Sequence, residues 1–71
     1  MTNEYLSKTI RKYRNAAGLS QKQLAEYAGI GKTAVFDVEH GKETVQLNTV
    51  LKILEVLNIK VTLEGKLDAQ S

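Results

Sequence analysis

The chain has no cysteine, no proline and no tryptophan, and it has one histidine. Without cysteine there is no disulfide framework, no thiolate nucleophile and no iron–sulfur cluster. A lone histidine cannot build a structural zinc site. No apolar run approaches the roughly 18 residues that a membrane helix needs. The stretch 1–14, MTNEYLSKTIRKYR, has no apolar core of the signal-peptide kind. The expected compartment is therefore the cytoplasm, with no membrane partner. No serine–histidine–aspartate set or metal-ligating cluster is present, and Gly29-Ile30-Gly31 lacks the Lys-Ser/Thr ending of a phosphate-binding loop. These absences predict a non-enzyme with no catalytic residue, no metal and no cofactor.

What is present is ordinary for a small folded domain. The chain has 71 residues, 42% of them hydrophobic and 25% charged. A domain of this size buries only about 60% of its unfolded surface, so oligomerisation is the expected staple. The net charge of +2 is unevenly placed. Residues 1–42 carry seven Lys/Arg and four Asp/Glu, whereas residues 43–71 carry three and four. The basic part comes first.

With proline absent, glycines punctuate the chain. Leu6, Ile10 and Ala17 fall at helical spacing with Tyr13 beside them, and the stretch runs from Asn3 as N-cap to Gly18 past the end. Ser20-Gln21-Lys22-Gln23 has the capping-box form and opens a second helix lined by Leu24, Ala25 and Ala28, which Gly29 ends. Gly31 caps a third helix, Lys32 to His40, with Val35 and Val38 inward. Leu47, Val50, Leu51, Leu54 and Leu57 mark a fourth, stopped at Asn58. Then the period changes. Ile59, Val61 and Leu63 alternate with polar residues, which is the signature of a half-buried strand. A single strand cannot satisfy its own backbone, so it is expected to pair with a second copy.

Residues 20–41, SQKQLAEYAGIGKTAVFDVEHG, carry the functional signal. Two short helices flank a three-residue turn. Ala25 is small where the helices cross, Gly29 permits a positive φ, and Leu24, Ile30, Val35 and Val38 fill the angle between the helices. This is the spacing of a helix-turn-helix, whose second helix enters the DNA major groove.

From Ile10 to about Leu57 the chain resembles the phage-repressor (Xre/Cro) helix-turn-helix family. The resemblance is carried by Ile10-Arg11, Arg14, Gly18-Leu19-Ser20-Gln21, Leu24-Ala25, Ala28-Gly29-Ile30, Val35, Glu39 and Gly41. The runs 45–51 and 57–63 look like one branch, the HipB-like antitoxins, in which a C-terminal strand joins two protomers. The resemblance implies a DNA-binding homodimer that represses its own operon, with a HipA-like kinase toxin as partner. It also implies an internal ion pair between Arg14 and Glu39, and a phosphate contact from Gln21.

On a helical wheel, Lys32, Thr33, Phe36, Asp37 and His40 lie opposite Val35 and Val38. Lys32, Thr33, Phe36 and Asp37 are the candidate base readers. Lys32 suits guanine or a phosphate, and Thr33 suits adenine or thymine. Asp37 either accepts from cytosine, repels phosphate as a filter, or is simply a solvated charge. Phe36 departs from the small polar residue usual in the family. It either meets a thymine methyl or packs in the core. Gly31 departs too, since serine is common there. Ser20, Gln21, Lys22, His40 and Lys42 are the candidate phosphate contacts, with solvated surface lysine as the plain alternative for Lys22 and Lys42.

Leu47, Val50, Leu54, Ile59, Val61 and Leu63 are the candidate dimer residues, and Leu51 and Leu57 are expected in the core. The expected fold is mainly α, a four- to five-helix helix-turn-helix domain over residues 1–58. A dimerising strand over 59–65 and a flexible tail over 66–71 follow. Two reading helices on a two-fold axis would match a palindromic operator with half-sites about 34 Å apart, in the bacterial nucleoid. The competing readings are a stand-alone dimeric repressor or restriction–modification controller, and an interaction module with a vestigial helix-turn-helix.

Overall fold

The computed structural model of the chain describes residues 3–62. Its helices are α1 (Asn3–Ala16), α2 (Gln21–Ala28), α3 (Lys32–Glu39) and α4 (Leu47–Val56). Residues 59–62 have no regular secondary structure. Leu63, the remainder of the expected strand and the expected tail lie outside the described residues.

The helices share one way of stopping. The residue past each last turn takes a left-handed φ: Gly18 at 73°, Gly29 at 71°, Gly41 at 70° and Asn58 at 59°. The next backbone N–H then donates to the carbonyl five residues back. Leu19 reaches Arg14 at 3.1 Å, Ile30 reaches Ala25 at 3.0 Å, Lys42 reaches Asp37 at 3.0 Å and Ile59 reaches Leu54 at 2.9 Å. This closure usually carries an apolar residue just beyond the turn. Leu19, Ile30 and Ile59 fill that role and pack against the core. The end of α3 carries Lys42 instead, whose Nζ turns back to Asp37 Oδ2 at 3.6 Å. At Gly29 the backbone angle, rather than crowding, requires glycine, because a Cβ built there meets nothing within 4 Å.

One core unites the helices. Ile10 of α1, Leu24 and Ala25 of α2, Val35 and Val38 of α3, and Val50, Ile53 and Leu54 of α4 are buried together. Each large aliphatic side chain so buried contributes about 1.5–3 kcal/mol. The inner face of α4 differs from the sequence expectation. Val50 and Leu54, expected at a dimer interface, are buried inside the single chain, while Leu51, expected in the core, is 48% exposed. Ile53, not singled out from the sequence, sets the stripe: 50, 53, 54 and 57 share one face, and position 51 lies about 100° around from 50. In α1, Tyr13 is exposed, and Ala17 lies beyond the helix end.

Candidate nucleic-acid interface

The pair α2–turn–α3 is set by local chemistry first. Ser20 Oγ accepts from the Gln23 backbone N–H at 3.0 Å, and Gln23 Oε1 accepts from the Ser20 N–H at 2.9 Å. This reciprocal cap starts α2 and leaves the N–H groups of Gln21 and Lys22 at an open helix end. Gly31 caps α3 with its backbone alone and makes no side-chain hydrogen bond.

The two helices are then locked to α1 by a buried ionic cluster. Glu39, at the end of α3, is only 2% exposed. Its Oε2 accepts from Arg14 Nε at 2.5 Å, and its Oε1 accepts from Arg14 Nη2 at 3.0 Å and from Gln21 Nε2 at 3.1 Å. Arg14 Nη1 donates to the Leu19 carbonyl at 2.9 Å. Arg14 and Gln21, the first residue of α2, therefore meet at the carboxylate that ends α3, and Arg14 ties in the α1–α2 loop through the Leu19 carbonyl. Burial of a charge is tolerated here because both oxygens are paired and the guanidinium is shared with a carbonyl. Gln21, expected to hold a phosphate, uses an amide N–H to hold Glu39. A primary amide carries a second N–H at the same nitrogen.

The outer face of α3 carries the expected side chains. Lys32 and Thr33 are exposed at its start. Phe36 is 47% exposed and is not part of the core. It is covered on one face by His40, with ring centroids 3.8 Å apart and planes 22° from parallel. His40 Nδ1–H donates to the Phe36 carbonyl at 2.8 Å, the only polarity a carbonyl acceptor allows. His40, expected at a phosphate, is thus committed on that side to Phe36. Asp37, one turn from Thr33, is partly buried and paired with Lys42. Ser20 and Lys22 are exposed at the start of α2.

A shallow cleft adjoins this face. Glu4, Ser7, Lys8 and Arg11 of α1 line it with Glu39, His40 and Gly41. Lys8 is paired with Glu4 at 3.7 Å, whereas Arg11 has no carboxylate partner among the described residues. Arg11 was not singled out as a contact from the sequence. The available signal was its place three residues before Arg14, which puts both arginines on neighbouring positions of one helical face.

A helix-turn-helix family description matches residues 10–63, which spans α2, the turn and α3 and reaches past α4. The chain belongs to the helix-turn-helix family, in its Xre type. This helix-turn-helix protein is a DNA-binding transcriptional regulator. The control protein C.SmaI of Serratia marcescens is 40% identical to it over 58 residues, covering 82% of this chain and 69% of that protein. The uncharacterized HTH-type transcriptional regulator y4mF of Sinorhizobium fredii is 36% identical over 52 residues, covering 73% and 68%. Among solved structures, HipB in the HipA–HipB–O2–O3 complex superposes with a TM-score of 0.83 at 26% identity, covering 93% of each chain. No helix among the described residues of this regulator is long and apolar enough to cross a membrane.

Of the expected dimer residues, only some are available at the surface. Leu47 is 71% exposed and Val61 is 53% exposed. Leu51, Leu54, Glu55, Asn58, Ile59 and Val61 line one open groove where α4 ends.

Proposed function

We propose that the chain is the antitoxin of a HipA-like kinase toxin, and that it binds a palindromic operator as a homodimer and represses its own operon. The observation that carries the DNA-binding part is the outer face of α3. It presents Lys32, Thr33, Phe36 and Asp37 on a helix that a buried ion pair holds rigidly to the rest of the fold. In this reading those four side chains face bases. Ser20, Lys22, Lys42 and the second amide N–H of Gln21 face phosphates, and Arg11 adds charge at one edge. The antitoxin part is supported by a likeness to HipB that covers 93% of the chain, well beyond the helix-turn-helix itself. A second copy would dock on the groove that contains Leu51, Ile59 and Val61, and that gives the alternation at 59–63 a partner.

A second reading, a stand-alone or restriction–modification control protein, is favoured by the 40% identity to the control protein C.SmaI. Co-purification with the product of the neighbouring gene, followed by titration of DNA from upstream of the operon, separates the two. A stable complex that binds this DNA more tightly than the chain alone is the expected result. DNA binding without any protein partner leaves the control-protein reading. A chain that binds no duplex specifically overturns both.

A further inference from the structure

We infer that the stacked pair Phe36–His40 is a preassembled reader of a thymine methyl group, with Phe36 making the contact and His40 acting as its positioning residue. This rests on the reading of α3 as the base-reading helix and extends it. The phenyl ring offers no donor and no acceptor. Among base edges of the major groove, the apolar feature it can recognise is the C5-methyl of thymine. The ring stands at the middle of the outer face of α3, one turn from Lys32 and Thr33.

Its orientation is held from one side. His40 stacks on it at 3.8 Å between centroids, and His40 is itself tethered by Nδ1–H to the Phe36 carbonyl at 2.8 Å. The tether closes a small loop within one helical turn, so the imidazole cannot swing away without breaking a hydrogen bond. A lone exposed phenylalanine would lose rotamer freedom on meeting DNA, and the stack removes part of that cost in advance. It also covers apolar surface that would otherwise face water in the free protein. The arrangement explains how a large aromatic is accommodated on a face that must remain open.

The test starts from a site selected by the full chain from a random duplex pool. Each thymine of that site is then replaced singly by deoxyuridine, which deletes only the methyl. The expected result is one position per half-site at which the replacement weakens binding about fourfold, the equivalent of one buried methylene. In Phe36→Ala the same replacement should have no effect. In His40→Ala the penalty should fall to less than half, and in His40→Phe, which keeps a stacking ring, it should return. Because each comparison is made within one variant, altered folding or overall affinity cancels. Deoxyuridine replacements that all leave the wild-type affinity unchanged overturn the inference while leaving DNA reading intact. A penalty undiminished in His40→Ala overturns the positioning role. A wild-type chain that selects no sequence overturns the base-reading helix itself, and this inference with it.

Discussion

Arg14 and Glu39 are 25 positions apart in the chain, yet they meet through two parallel contacts, Nε to Oε2 at 2.5 Å and Nη2 to Oε1 at 3.0 Å. The carboxylate belongs to the end of α3 and the guanidinium to α1. Their union fixes the tilt of the candidate reading helix against the body of the protein, and Gln21 joins α2 to the same point. A small core of aliphatic residues sets how closely these helices approach, but it is nearly isotropic. The fork of hydrogen bonds adds the direction.

Removal of the carboxylate should therefore be costly. Glu39→Ala leaves Arg14 facing a cavity and is expected to destabilise the fold by about 3 kcal/mol. Replacement of both partners by apolar residues should recover much of that loss, because no uncompensated charge remains. Urea unfolding of the single and double variants checks both statements. An unchanged midpoint for Glu39→Ala would sink the structural role assigned to the pair.

The two helix starts differ, and the difference is measurable. Ser20→Ala removes the hydroxyl half of the reciprocal cap of α2 and should cost about 1 kcal/mol. Gly31 has a φ of −78°, which any residue adopts, and open space around its missing Cβ. Gly31→Ser should therefore gain roughly a few tenths of a kcal/mol through a side-chain cap on α3. Thermal melting of the two variants should move in opposite directions.

Lys42 and Asp37 form a pair on the face proposed for DNA, so their variants should have opposite signs. Lys42→Ala is expected to weaken binding to all duplexes alike and to lower the salt slope by about one. Asp37→Asn removes a carboxylate and frees the Lys42 ammonium, so affinity for unrelated duplex should rise. Fluorescence anisotropy at several salt concentrations reads both effects. If neither variant changes the binding of unrelated duplex, this face does not lie against phosphates.

The last prediction separates core from surface on α4. Leu54 is 6% exposed, and Leu54→Ala should cost about 2–5 kcal/mol wherever the protein is studied. Leu51 is exposed beside it, and Leu51→Glu should leave the helical circular dichroism intact while shifting the sedimentation coefficient toward a monomer. If Leu51→Glu sediments like the wild type, the proposed docking of a second copy on this groove is wrong.

The helices themselves were readable in the chain because their ends are local events. A capping box at 20–23 and residues able to take positive φ at 18, 29, 41 and 58 act within a few positions of each other, so no distant contact is needed to find them. The face of α4 was harder. Its leucines at 47, 51, 54 and 57 wrap around too much of the helix for periodicity alone to say which side is inward. Once Ile53 packs against the other helices, Val50 and Leu54 follow it into the core and Leu51 is left outside.

The amino-acid sequence by itself determined where the helices stop and the turn that sets α2 against α3, since hydrogen bonds between near neighbours and the φ demanded by a cap decide those matters. Only the tertiary structure decided what the polar and aromatic side chains of the candidate site are doing. The amide of Gln21 is turned to Glu39, 18 positions away, Arg14 of α1 closes on the same carboxylate, and the packed core leaves Phe36 outside it. A helical wheel assigns each residue an angle, but it contains neither the distance to a neighbouring helix nor the choice among partners within reach. Close packing and the need to pair a buried charge settle both.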